Sequence, residues 1–330
     1  MRVSCIVLFL GAFVLSTGTV SAVEKLELPI NPKCNQAQID RKGLNSNQTG
    51  CTAITRSAWD WKYAPINREL LEAKFKHHKI EYLTYHHQAL FGESIETALK
   101  TGRQSEINQA KKEVRRKAEL RLRAKGIREQ VTNINGGNCA NGECHFKKFG
   151  DIAYHYIVDQ YGNIAEGRSL DYAPGTYTKS YGTNKIHDFK NHLAVMILGN
   201  FDAQELTREG KLALIRVLSA GQRKYKIETK NIQPHKHHAN SSCPGVNILS
   251  LRGKNAIPEM TLLYSLQSEL IDRGCKPQAV SQHVFLDGKY GTMTETALLR
   301  LQADNPSLNY EIVSDQMLMS LLENPQYRCK

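Results

Sequence analysis

Leu193 to Leu198 is an unbroken apolar run closed by Gly199, the pattern of a central strand buried in a sheet. Two further stretches read as strands. Glu81 to His86 is rich in aromatic and β-branched residues, and Ile152 to Val158 alternates before a Gln160-Tyr161-Gly162-Asn163 turn and a return strand from Ile164 to Gly167. Helical spacing flanks them, over Asn67 to Lys79 before the first and from Leu206 to about Tyr225 after the last, where Thr207 is placed to cap the first turn. Strands interleaved with helices predict an α/β fold with a mixed central sheet flanked by helices. From about Asn255 the texture changes. Leu262, Leu263, Leu266 and Leu270 mark one helix, Ala297, Leu298 and Leu301 a second, and Met317, Leu318, Leu321 and Leu322 a third. Residues 255–330 therefore read as a small three-helix domain, and a chain of 330 residues is long enough for about two domains.

The first residues read as a leader. Arg2 precedes an apolar run from Ile6 to Val14 and a small-residue stretch ending at Ala22, which fits a secretory signal over 1–22 with cleavage after Ala22. The apolar core is shorter than the roughly 20 residues that span a bilayer, so no stable membrane anchor is expected. A polar, Asn- and Gln-rich extension over 23–50 follows. The expected location is secreted or periplasmic, where disulfides persist. Of eight cysteines, seven lie beyond the leader, an odd number. Pairing sequence neighbours joins Cys34 to Cys51, Cys139 to Cys144 and Cys275 to Cys329, and leaves Cys243 over.

A formal charge of +12 suits an anionic partner, whether nucleic acid, an acidic membrane surface or a carboxylate-rich wall polymer. Much of the excess lies between Lys111 and Arg128, where Ile107, Ala110, Val114, Ala118 and Leu122 recur at helical spacing. This basic amphipathic helix is expected to be a solvated face, with a lid or wall-binding surface as the alternative. No recognised nucleic-acid module accompanies it, and none is expected.

Residues 235–245 read HKHHANSSCPG. Pro244 and Gly245, rather than a helix start that would activate a thiol, follow Cys243, and a disulfide there would strand another cysteine. Metal ligation remains. His235 and Cys243, eight positions apart, can be brought round one cation by a loop, and zinc accepts mixed nitrogen and sulfur ligands. A third ligand must come from elsewhere, and the His86-His87 pair at a strand end can supply only one, because neighbouring side chains on a strand face opposite sides.

Six blocks, in order over roughly residues 51–252, resemble the zinc-dependent N-acetylmuramoyl-L-alanine amidase superfamily, which includes peptidoglycan recognition proteins. They are Arg56-Ser57-x-Trp59, Tyr85-His86-His87, Asp151 to Val158, Gly162 to Arg168, Ile197 to Phe201, and His235 through Cys243-Pro244-Gly245. The resemblance implies that His86, His235 and Cys243 bind Zn2+, that Tyr154 stands near the metal as a catalytic group, and that Ser241 helps stabilise the transition state. Relatives carry lysine or threonine at the Ser241 position, so here the group has no charge. Substrate contacts are implied at Tyr177, which replaces a usual histidine, and at Asn200. Met196 falls where the cytoplasmic branch has a glutamate. His237 and His238 have no counterpart and are expected to be exposed.

The segment from Val284 to Gln302, with Asp287-Gly288, Tyr290-Gly291 and Thr294-Glu295, resembles the three-helix peptidoglycan-binding domain. Together the resemblances imply an exported hydrolase that cuts between N-acetylmuramic acid and L-alanine, with peptidoglycan or muropeptides as partner. The alternative they imply is a non-catalytic peptidoglycan receptor, although receptors of that kind typically lack the cysteine ligand.

Overall fold

The computed structural model describes residues 26–28, 53–59, 66–76, 79–137, 145, 149–176, 190–308, 310 and 312–330. The leader read at 1–22, nearly all of the extension read at 23–50, Tyr177, and Cys5, Cys34, Cys51, Cys139 and Cys144 lie outside the described residues.

Five strands form one mixed sheet: β1 (Tyr82–His87), β2 (Tyr156–Val158), β3 (Ile164–Glu166), β4 (His192–Ile197) and β5 (Ile232–Pro234), in the order β3-β2-β4-β1-β5. β4 holds the centre and buries all six of its residues, as an apolar run without alternation requires. It runs parallel to β1 and β2, β5 runs parallel to β1, and β3 returns antiparallel to β2. The β2-β3 turn is tied by Asp159, whose Oδ1 accepts from the backbone N–H groups of Tyr161 and Asn163. Four strands thus present their carboxyl ends at one edge.

Helices cover both faces. The helices before β2 are α1 (Arg56–Trp59), α2 (Arg68–Lys74), α3 (Gly92–Thr101), α4 (Gln104–Ala124) and α5 (Ile127–Thr132). Between β4 and β5 lies α6 (Arg208–Tyr225), and beyond β5 come α7 (His235–His238), α8 (Val246–Leu249), α9 (Ile257–Asp272), α10 (Gln282–Phe285), α11 (Thr292–Asp304) and α12 (Asp315–Glu323). Leu83, Tyr85 and Val195 on one face pack against Leu214, Val217 and Leu218 of α6. Met196, Ile157 and Ala165 on the other lie beneath Trp59, Leu122, Ile127 and Val131. The basic helix is therefore a layer of the fold. It buries Val114, Ala118 and Leu122 and turns its charges outward, with Glu113 bridging Arg116 and Lys117. It ends at Ala124, and Gly126 precedes α5, so the single helix read to Arg128 is two.

Thr207 caps α6 as its position predicts. Its hydroxyl accepts from Gly210 N at 3.1 Å and donates to Gln160 O at 2.6 Å, tying the helix start to the β2-β3 turn. Thr207→Ala removes both bonds and is expected to lower unfolding free energy by about 1–2 kcal/mol in denaturant titration.

The C-terminal helices gather around Leu266, Leu270, Phe285, Leu301, Met317 and Leu321, stapled by the Cys275–Cys329 disulfide that neighbour pairing predicts. α9 serves two cores. Leu266 and Leu270 face the C-terminal group, while Met260 and Tyr264 pack with Ile215 of α6. Polar contacts bind the same two helices: Arg223 pairs with Glu269 and Asp272, and the Ser265 hydroxyl lies 2.9 Å from Ser219 Oγ and 2.7 Å from Gln222 Oε1. Among the described residues no helix is long and apolar enough to cross a membrane.

Candidate functional site

Alternation along β1 turns Leu83, Tyr85 and His87 toward α6 and leaves Tyr82, Thr84 and His86 on the opposite face. His86 is 1% exposed. β5 lies beside β1, and α7 begins at its end, so His235 arrives next to His86 with ring centroids 4.4 Å apart. The chain then doubles back. Lys236 N–H donates to Cys243 O at 2.9 Å, closing the loop, and Cys243 N–H donates to Ser241 Oγ at 3.0 Å. The Cys243 sulfur ends 3.9 Å from His86 Nδ1 and accepts from His87 N–H at 3.3 Å. The ligand atoms of His86, His235 and Cys243 all lie within 4.8 Å of one another.

Gly245 makes the loop possible. Its φ of +98° and ψ of 150° belong to a region that only glycine occupies readily, and a Cβ there would meet Phe201 C at 2.5 Å and Asp202 N at 2.8 Å. The neighbouring Val246 N–H is held by Asp202 Oδ1 at 2.9 Å, so the Cys243 loop is seated directly on segment 199–205. Gly245→Ala is expected to cost about 2–3 kcal/mol from strain and overlap combined and to weaken metal retention. Gly253→Ala, also at positive φ but with open space around it, is the control, and denaturant titration with metal analysis of both variants checks the contrast.

Burial lowers the His86 pKa well below its ordinary value, and the neighbouring His235 pushes it further down, so the ring is neutral. Burial likewise drives the Cys243 thiol up to about 12, only partly offset by the His87 N–H. A thiol held neutral in this way is a poor unaided nucleophile, since the thiolate is the reactive form. Two imidazoles and one buried sulfur are, however, the donor set that a zinc ion takes. Tetrahedral zinc with sulfur at about 2.3 Å and nitrogen at about 2.0–2.1 Å keeps those two atoms roughly 3.5 Å apart. The 3.9 Å separation of Cys243 Sγ and His86 Nδ1 is close to that value. His86 Nε2 is enclosed and has no hydrogen-bond partner among the described residues. The residues fit the ion.

Tyr154, half-buried, sets its ring edge-on to His86 at a centroid distance of 5.3 Å. Ser241 lies on the Cys243 loop, its oxygen accepting from Cys243 N–H, which leaves its own proton free to be donated outward. Asn200 requires a correction. It is fully buried, its Nδ2 donates to Leu90 O at 2.9 Å and its Oδ1 accepts from Asp202 N at 3.0 Å. It ties segment 88–91 to segment 199–205 and is not presented to a substrate. Tyr177 lies outside the described residues. Met196 is buried beside the trio's strand, across the ladder from His86.

His238 also departs from expectation. His237 is exposed, but His238 packs its ring 4.5 Å from His192 and 5.5 Å from Tyr82, and burial lowers its pKa to about 4. Sequence reading passed over His192 altogether. Its signal was its place at the start of β4, where Nδ1 lies 2.6 Å from Thr84 Oγ1. Other motif residues build the scaffold. Arg56 pairs with Asp151 at 2.6 Å, Trp59 Nε1 donates to Glu166 O at 2.6 Å, and buried Arg168 donates to the carbonyls of Phe149, Asp151, Ile152 and Ala173. His155 accepts from Ala194 N–H at Nδ1 and reaches Tyr172 O with Nε2.

Fold and geometry together define an α/β protein with a mixed sheet and a candidate His-His-Cys metal centre at the carboxyl edge of its parallel strands. Solved structures similar to this chain include the endolysin N-acetylmuramoyl-L-alanine amidase LysCS of Clostridium intestinale, 16% identical, covering 52% of this chain and 80% of that one at a TM-score of 0.29. They also include Drosophila peptidoglycan recognition protein SD, 16% identical over 62% of this chain and 96% of that one, TM-score 0.37. A third is PGRP-SA of Apis mellifera, 17% identical over 59% and 90%, TM-score 0.33. No family model matches the chain, and no curated protein does.

Proposed function

We propose that this chain is an exported zinc-dependent N-acetylmuramoyl-L-alanine amidase that releases stem peptides from peptidoglycan. The observation that carries the reading is the convergence of His86, His235 and Cys243, three residues distant in sequence, on one point. The six sequence blocks that bear the resemblance support it. A zinc ion held by His86, His235 and Cys243 would supply a water of lowered pKa and a Lewis acid for the scissile carbonyl.

The chain's own groups divide the remaining work. His87 N–H stabilises negative charge on the Cys243 sulfur. His87 itself faces the opposite side, where Nδ1 accepts from Phe201 N–H at 3.2 Å and fixes the end of β1. Tyr154, against His86, and Ser241, beside Cys243, are the groups assigned to donate hydrogen bonds to the carbonyl oxygen as charge grows on it. Such bonds raise the rate because they are stronger in the transition state than with bound substrate. The C-terminal helices are assigned a separate task, holding the wall polymer and so raising the local concentration of scissile bonds.

Incubating the full chain with zinc and purified muropeptides, followed by mass spectrometry, tests the reading. Free stem peptides with a new L-alanine amino terminus support the enzyme. Saturable binding with no new amino terminus would instead identify a non-catalytic receptor.

A further inference from the structure

The 21 residues of α4 hold seven Lys or Arg against three Glu, a net of +4 and so one third of the formal +12 carried by all 330 residues. The underside of the helix is fixed. Val114, Ala118 and Leu122 are buried, Val114 packs with Ile95 of α3 and with Ala203, and Arg115 Nε donates to Ala203 O at 3.0 Å. At 3.6 residues per turn, the line farthest from that buried stripe runs through Lys112, Arg116, Leu120 and Arg123. All four are exposed, the Arg116 side chain to 60% and Leu120 to 53%. A straight helix spreads them over about 16 Å.

Leu120 gives this line its chemistry. A single exposed leucine is ordinary. This one stands one turn from Arg116 on one side and one turn from Arg123 on the other, and Phe91 and Leu99 in the α3 arm of the same hairpin are also exposed. The cations are available. Glu113 meets Arg116 and Lys117 only in exposed pairs, which hold little energy against a competing anion, and Lys112 and Arg123 have no ion pair among the described residues. Because α4 is already folded and packed, a partner would meet these groups without the cost of ordering a helix.

We infer that the outer face of α4 is a docking surface for an anionic phospholipid bilayer, on which the protein rests reversibly without crossing it. Guanidinium groups take phosphate oxygens in paired hydrogen bonds, and the boundary of the acyl region takes an apolar side chain. One surface then satisfies both kinds of residue. The stems of Arg116 and Arg123 lie along Leu120 while their heads stay at the level of the phosphates. A nucleic acid or another soluble polyanion offers the phosphates without the hydrocarbon, and leaves Leu120 in water. The inference stands on α4 and does not require the amidase reading.

The test is sedimentation of the full chain with vesicles of equal parts phosphatidylcholine and phosphatidylglycerol, against vesicles of phosphatidylcholine alone. The expected result is binding to the anionic vesicles only, released as salt rises. Arg116→Gln combined with Arg123→Gln is expected to weaken it about fivefold for each cation lost, so about 25-fold together, and Leu120→Gln about tenfold. Lys254→Gln combined with Arg328→Gln removes the same charge from exposed positions outside α3 and α4, and is expected to bind like the parent. Failure to bind anionic vesicles, equal binding to neutral ones, or equal weakening by the Lys254 and Arg328 exchanges overturns the inference. Vesicle binding unchanged in Leu120→Gln overturns it too, and tighter binding of a double-stranded oligonucleotide, lost in the Arg116 and Arg123 variant, would then make this a nucleic-acid surface.

Discussion

Cys243→Ser is expected to abolish zinc retention and muropeptide hydrolysis together, while far-ultraviolet circular dichroism stays that of the parent. Serine is isosteric but cannot become an anion near neutral pH, so the loop would present a neutral hydroxyl where a thiolate completes the donor set. The backbone bonds that shape the loop, Lys236 N–H to Cys243 O and Cys243 N–H to Ser241 Oγ, use main-chain atoms of residue 243 and survive the exchange. Loss of function therefore reports on the ligand and not on the fold. Metal content by inductively coupled plasma mass spectrometry, about one zinc per chain in the parent and none in the variant, is the primary readout. Full hydrolysis by the variant would remove residue 243 from the chemistry.

The second large effect is a rate effect with the metal in place. Tyr154→Phe keeps the ring that stands edge-on to His86 and deletes only the hydroxyl. The expected result is unchanged zinc content with kcat lower by about 10²–10³, the usual consequence of losing one donor to a developing oxyanion. KM is expected to hold, because the lost interaction belongs to the transition state. A fall in zinc content would instead make Tyr154 a support for His86, and an unchanged kcat would leave the oxyanion role to Ser241.

Sequence pattern carried the centre of this fold further than its margins. β4 was legible because a strand buried on both faces is apolar throughout, and the β2-β3 hairpin because Gly162 and Asn163 mark a tight turn. The alternation of β1 allowed only one of His86 and His87 into the site, and the two do point opposite ways. β5 went unread. It is three residues long and ends in proline, too short for a period to show, and its neighbours in the sheet define it. The break between α4 and α5 rests on one glycine in a sequence otherwise rich in helix formers. Asn200 misled because a motif marks a position and not the direction of its side chain. His238 misled because a polar loop composition says nothing about the Tyr82 and His192 rings that await it across the fold.

The shared helix α9 bears on how a long polymer could be worked. Its ion pairs and hydroxyl contacts to α6, joined by Asp315 of α12 accepting from Thr229, leave no slack between the C-terminal group and the sheet. On the proposed reading, a polymer held by the C-terminal group would meet the His86 edge at a set reach and angle, as against a ruler, where a loosely strung pair of modules would sample every bond within its leash.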